Sequence, residues 1–106
     1  MKIYPNFKEY KPKKVPEGAP EGTRFFCDDN GNDWYHLMYE LNGPEWKVGY
    51  LQDGCVVWAT QNIVGTYSPA GLSVAVVDSV PTNQERTRDD IWYFEDGKVV
   101  DKANYK

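Results

Sequence analysis

The chain is poor in the residues that most often carry metal or nucleophilic chemistry. It has two cysteines, Cys27 and Cys55, and one histidine, His36. A structural zinc site normally takes four Cys/His ligands, so these three do not make one, and no metal or other cofactor is expected. Both cysteines stand among apolar residues of expected strands, and no secretory h-region precedes them. They read as reduced, packed thiols. Long hydrophobic runs are also lacking: none approaches the ~20 residues that span a bilayer, so no membrane partner is expected. Positive charge is scarce. Twelve Lys and Arg against 16 Asp and Glu leave a net charge of −4. Nucleic-acid binding needs a cationic footprint to release counterions and is disfavoured. These absences point to a soluble, cytoplasmic product. Its 106 residues suit one domain that buries about two-thirds of its unfolded surface.

What the chain does have is aromatic residues, 16 in all, with four tryptophans among them. Residues 1–23 stand apart, with four prolines and five lysines. Pro5, Pro12, Pro16 and Pro20 forbid a continuous helix and favour extended backbone. This segment reads as an extended Lys/Pro-rich arm anchored by Ile3, Tyr4, Phe7 and Tyr10, or as a mobile tail. Residues 24–106 read as a single α+β domain. "RFFC" (24–27) is a short strand that ends in the turn cluster "DDNGN". Trp34, Leu37, Met38 and Leu41 then fall at i, i+3, i+4 and i+7, one stripe of a helix. Asn32 or Asp33 can cap it, and Gly43-Pro44 stops it. A strand is the competing reading.

From Trp46 the period changes. "WKVGYL" and "CVVWAT" flank Asp53-Gly54, a strong hairpin signal. A two-residue loop there sets Leu51 against Val56, Tyr50 against Val57 and Gly49 against Trp58. "LSVAVV" (72–77) is another strand, and "IWYF" with "KVVD" forms a second hairpin around Asp96-Gly97. Across that turn Glu95 faces Lys98, a pair worth about 0.2–1 kcal/mol. "YLQDGCVVWA" (50–59) and "YFEDGKVVDK" (93–102) are near-copies, but two copies cannot close a propeller or stack a solenoid. They read as two hairpins with the same turn chemistry. The expected fold is α+β: a small antiparallel sheet built from two Asp-Gly hairpins, one short helix and the arm.

Three segments imitate functional motifs. Asp28, Asn30 and Asn32 occupy positions 1, 3 and 5 of a calcium loop, but position 6 is Asp33 where glycine is needed, and position 12 is Tyr39. A turn with a helix cap explains the same residues. "GLSVA" (71–75) lacks the second glycine of a nucleophile elbow, and the chain is too short for the sheet that elbow requires. His36 lies among bulky residues of the expected helix, which suits packing or surface better than catalysis. No enzyme is expected. The first hairpin is apolar on both faces: Leu51, Val56 and Trp58 on one, Trp46, Val48, Tyr50 and Val57 on the other. Either a helix or the arm covers the second face, or that face binds a partner, since Trp and Tyr anchor interfaces.

Four segments, in order, resemble the tail fibre assembly proteins (fibre chaperones) of tailed phages and prophages. They are "FFCDDNGNDWY" (25–35), "WKVGYLQDGCV" (46–56), "YSPAGLSVAVVDSVP" (67–81) and "DIWYFEDGKVV" (90–100). Glu45-Trp46 stands where the family has Asp-Thr. The chain ends at Lys106 where relatives run on into a charged helix, the pattern of a truncated paralogue, a minimal form or an N-terminal domain. The resemblance implies a non-enzymatic chaperone of the host bacterial cytoplasm. Its partner would be the C-terminal region of a trimeric tail fibre, and the protein could stay at the fibre tip. The expected contacts are Trp46, Tyr50, Trp58, Tyr67 and Trp92, or the arm added as an edge strand. The alternative is a small lectin-like module that holds glycan on Trp58, Trp92 or Tyr67.

Overall fold

A computed structural model of the chain describes residues 2–15, 17–63 and 67–102. Along these residues run β1 (Lys2–Tyr4), β2 (Lys8–Tyr10), β3 (Phe25–Cys27), α1 (Trp34–Glu40), β4 (Trp46–Tyr50), β5 (Val56–Thr60), β6 (Ser73–Val77), β7 (Trp92–Glu95) and β8 (Lys98–Asp101). Four strands form one antiparallel sheet in the order β1-β6-β4-β5, while β2-β3 and β7-β8 form two-stranded ribbons. The fold is α+β, with mostly antiparallel strands and a single short helix among the described residues.

The helix follows its apolar stripe. Trp34, Leu37 and Met38 face inward and Leu41 closes the C-terminus. Asp33 is the N-cap, its Oδ1 accepting from the backbone N–H of Tyr35 (2.9 Å) and His36 (3.2 Å). Seven residues are too few for a helix to persist alone in water, so packing of that stripe stabilises it. The helix ends at Glu40, before Gly43-Pro44.

The N-terminal segment is built into the fold through its strands. β1 pairs with β6, and Lys2 stands opposite Val76. Asn6 then takes a positive φ of 56°, a conformation Asn tolerates better than most residues. The chain turns there and sends Phe7 into the core, where its ring meets Trp34 edge-on at 5.4 Å. β2 continues away from the main sheet to pair with β3. Of the expected anchors, Phe7 is buried, Tyr4 and Tyr10 are half-buried, and Ile3 is exposed.

The two Asp-Gly hairpins differ. At the second, Asp96 (φ 50°) and Gly97 (φ 79°) both have positive φ, and Glu95 faces Lys98 across a two-residue loop. The first departs from the expected register. Leu51 N–H donates to Cys55 O and Gly54 N–H to Leu51 O, both at 2.8 Å. Only Gly54 (φ 95°) is left-handed, and Asp53 is not. This is a three-residue loop with a glycine bulge. Tyr50 therefore faces Val56, and a second irregularity follows before Gly49 meets Trp58. Val56 moves to the face of Trp46 and Val48, Trp58 keeps the opposite face as expected, and Leu51 and Val57 are exposed at 43% and 41%.

Two cores result, one on each face of the main sheet. Phe7, Trp34, Leu37, Trp58 and Val74 belong to the first, under the helix. Trp46, Val48, Val56, Ala75 and Trp92 belong to the second, under the β7-β8 ribbon. This is why β5 and β6 carry apolar residues in both directions: each sends side chains into a core on both sides. The near-identical hairpins touch each other. Phe94 N–H donates to Gly54 O at 2.8 Å, and the Tyr50 and Phe94 rings lie 4.7 Å apart.

Candidate functional site

The five residues expected to bind a partner are divided between the two faces of the sheet. Trp58 (5% exposed) belongs to the helix-side core, with Tyr67 stacked on it at 5.2 Å. Its indole N–H donates to Ser68 O at 3.0 Å. Trp46 (5%) and Trp92 (0%) belong to the ribbon-side core, with Tyr50 packed against them. The three tryptophans are thus interior side chains, while Tyr50 and Tyr67 are half-buried. Burial raises the Tyr67 pKa, and Glu85, which accepts its hydroxyl at 3.4 Å, raises it further. Thr60 hydroxyl donates to the same Glu85 carboxylate. Tyr67 and Glu85 thereby tie two long loops to the end of β5. No arrangement of a nucleophile, base and acid is visible in this set.

The motif look-alikes have structural employment. Asp28 is buried, and its Oδ1 accepts from the N–H of Asn30 (2.9 Å) and Asn32 (2.8 Å), while Oδ2 accepts from Asn32 Nδ2 (2.9 Å). Ser73 Oγ accepts from Asn6 N–H at 3.0 Å. His36 is exposed, and Cys27 and Cys55 are free, half-buried thiols. Among the described residues, no cluster of three or more His, Cys, Asp or Glu is placed to hold a metal ion. No described helix is long and apolar enough to cross a membrane.

Lys47 was not foreseen as special. It is fully buried, and its Nζ donates to Gly43 O at 2.7 Å and Gln61 O at 2.5 Å. Burial lowers its pKa, with Glu45 pulling the other way. The ammonium pins the turn after the helix to the end of β5. Its position in "WKVGY" resembles any outward-facing lysine of a strand, so alternation alone could not reveal it.

Surface features lie elsewhere, beside α1. Tyr39 (70% exposed) and Tyr35 (38%) line a groove of about 490 Å³ with Phe25 and Pro20. On the other side of Phe25, a second groove of about 340 Å³ runs past Tyr10, Lys11, Pro12 and Val15. Neither groove was singled out in the sequence, because the connection between β2 and β3 builds one wall of each.

The protein is thus an α+β fold with its four tryptophans in the interior and exposed tyrosines beside the helix. No protein-family profile matches the chain. It is similar to the "Probable tail fiber assembly protein" of Escherichia phage P2, 28% identical over 72 residues, which are 68% of this chain and 41% of that protein. The chain therefore spans about two-fifths of the length of that relative.

Proposed function

We propose that the protein acts in phage tail fibre assembly, as a non-enzymatic chaperone in the host cytoplasm. It binds the C-terminal tip of a trimeric fibre, promotes folding or trimerisation, and can remain bound there. The observation that carries this reading is the similarity over 72 residues to the phage P2 protein. Physical support comes from the surface. β1 is an edge strand, hydrogen-bonded only to β6 among the described strands, with Ile3 exposed on it. Fibre tips expose strand edges and apolar surface while they assemble, and a partner that covers them suppresses aggregation. Binding then favours the native trimer by mass action.

Interior placement of Trp46, Trp58 and Trp92 shifts the proposed contact to the N-terminal strands and the helix side. Tyr67 stays at its margin, while Tyr50 lies on the opposite face of the sheet. The same burial deprives a glycan site of two of the three aromatic platforms it would use. Co-expression of a cognate fibre C-terminal region with and without this protein tests the proposal. More soluble trimer is expected when both are made, and equal yields would overturn it.

A further inference from the structure

The connection from β2 to β3 runs from Lys11 to Arg24, long for a hairpin. Pro12 and Pro20 restrict its backbone, which lowers the entropy cost of ordering it against a partner. At its near end Lys11, Lys13 and Lys14 are exposed, and none makes an ion pair among the described residues. Val15 beside them is 57% exposed. The charge is uneven along the chain: residues 2–24 hold six Lys and Arg against three Asp and Glu, and the remainder holds six against 13.

From this juxtaposition we infer that the lysines and the two grooves flanking Phe25 form one docking surface for an extended acidic segment of a partner protein. The carboxylates of that segment lie over Lys11, Lys13 and Lys14. Its alternate apolar side chains enter the grooves beside Val15 and beside Tyr35 and Tyr39. Charge complementarity selects this occupant: Lys11 lines the smaller groove, and Lys13 and Lys14 follow it in the chain. Each groove also carries one carboxylate, Glu9 in the smaller and Glu17 in the larger, so the fitting ligand carries hydrocarbon for the grooves and acid at the lysine end. Glu9, Glu17 and Glu21 interrupt the basic stretch. A polyphosphate backbone or an anionic bilayer is a poorer match, since it rewards continuous positive charge. The assembly reading supplies only the partner's identity as a fibre; the surface itself does not depend on it.

The test uses the full chain and a fluorescein-labelled short peptide of alternating Glu and Val. A Lys/Val peptide and phosphatidylserine vesicles serve as comparison probes. The acidic peptide is expected to bind and to weaken with salt. The triple variant Lys11→Glu/Lys13→Glu/Lys14→Glu should lower its affinity about tenfold or more. Tyr39→Ala should lower it as well, with melting curves matching the parent because all four positions are exposed. Undiminished binding by the triple variant, or tighter binding to vesicles than to the peptide, overturns the inference. So does salt-sensitive self-association of the chain that the triple variant abolishes and that accounts for the signal. Co-expression with the fibre separates the two ideas. Should the parent raise trimer yield and the triple variant raise it equally, the surface is wrong and the assembly role stands. Should the parent have no effect, the assembly role fails while the peptide measurement still decides the surface.

Discussion

Gly49 on β4 faces Trp58 on β5, and this pairing shows how closely single residues are fitted. A methyl group added at Gly49 would lie 2.4 Å from Trp58 Cε2. The indole cannot move aside cheaply, being tied to Ser68 O and stacked on Tyr67. Gly49→Ala is therefore expected to destabilise the fold by about 1–3 kcal/mol, the usual cost of overpacking. Urea denaturation measures it, and an unchanged midpoint would refute the steric argument. Gly49 opposite Trp58 was legible from the Asp-Gly hairpin. The need for glycine there was not, because it depends on how the indole lies across the pair, which the hydrogen bond to Ser68 O and the stacking on Tyr67 fix. Lys47 illustrates the same point: its depth reflects two carbonyl oxygens contributed by Gly43 and Gln61, each from a different loop.

At the level of elements, one dipeptide makes two different turns. Asp96-Gly97 closes a two-residue loop with both residues at positive φ, whereas at Asp53-Gly54 only the glycine is left-handed. The difference traces to surroundings: Gly54 O accepts from Phe94 N–H, so the first turn must present its edge to β7. Besides the Phe7–Trp34 contact, one carboxylate joins helix α1 to the N-terminal segment. Asp33 caps the helix through Oδ1, and Oδ2 accepts from the Tyr10 hydroxyl. Burial first, and then this hydrogen bond, push the Tyr10 pKa up from 10.0 to about 12. The folded state keeps a proton that the unfolded chain loses, so the stabilisation is complete below pH 10.0 and is lost as pH rises to about 12. Tyr10→Phe should cost about 1 kcal/mol near neutrality, typical of one hydrogen bond. Its deficit relative to the parent should shrink across that alkaline window. A deficit that stays constant with pH would show that the hydroxyl does not couple to folding.

For the whole molecule, the main sheet is shared by two cores. β5 and β6 contribute side chains to both: Trp58 and Val74 face the helix side while Val56, Ala75 and Val77 face the ribbon. Neither core can open without exposing the strands that support the other, so unfolding should be a single cooperative transition. Trp34 and Trp58 report on one core, Trp46 and Trp92 on the other. Fluorescence of the double variants Trp46→Phe/Trp92→Phe and Trp34→Phe/Trp58→Phe should follow the far-UV circular dichroism of the same protein. Separate midpoints for the two reporters would mean that the cores unfold independently. This architecture also explains the aromatic content. A short chain that covers both faces of a small sheet needs large side chains to fill each layer, and each fully buried one contributes about 1.5–3 kcal/mol.

Local chemistry determined much of this by itself. The 3.6-residue stripe and Asp33 specified α1, Asp-Gly between apolar runs specified two hairpins, and these elements together gave an α+β class. Those features act between residues close in sequence, where backbone sterics and capping hydrogen bonds suffice. Tertiary structure alone decided the first hairpin's register, the interior placement of the tryptophans and the location of the grooves. Each depends on which distant segment covers a face, and alternation cannot distinguish a face buried by its own chain from one left open to a partner.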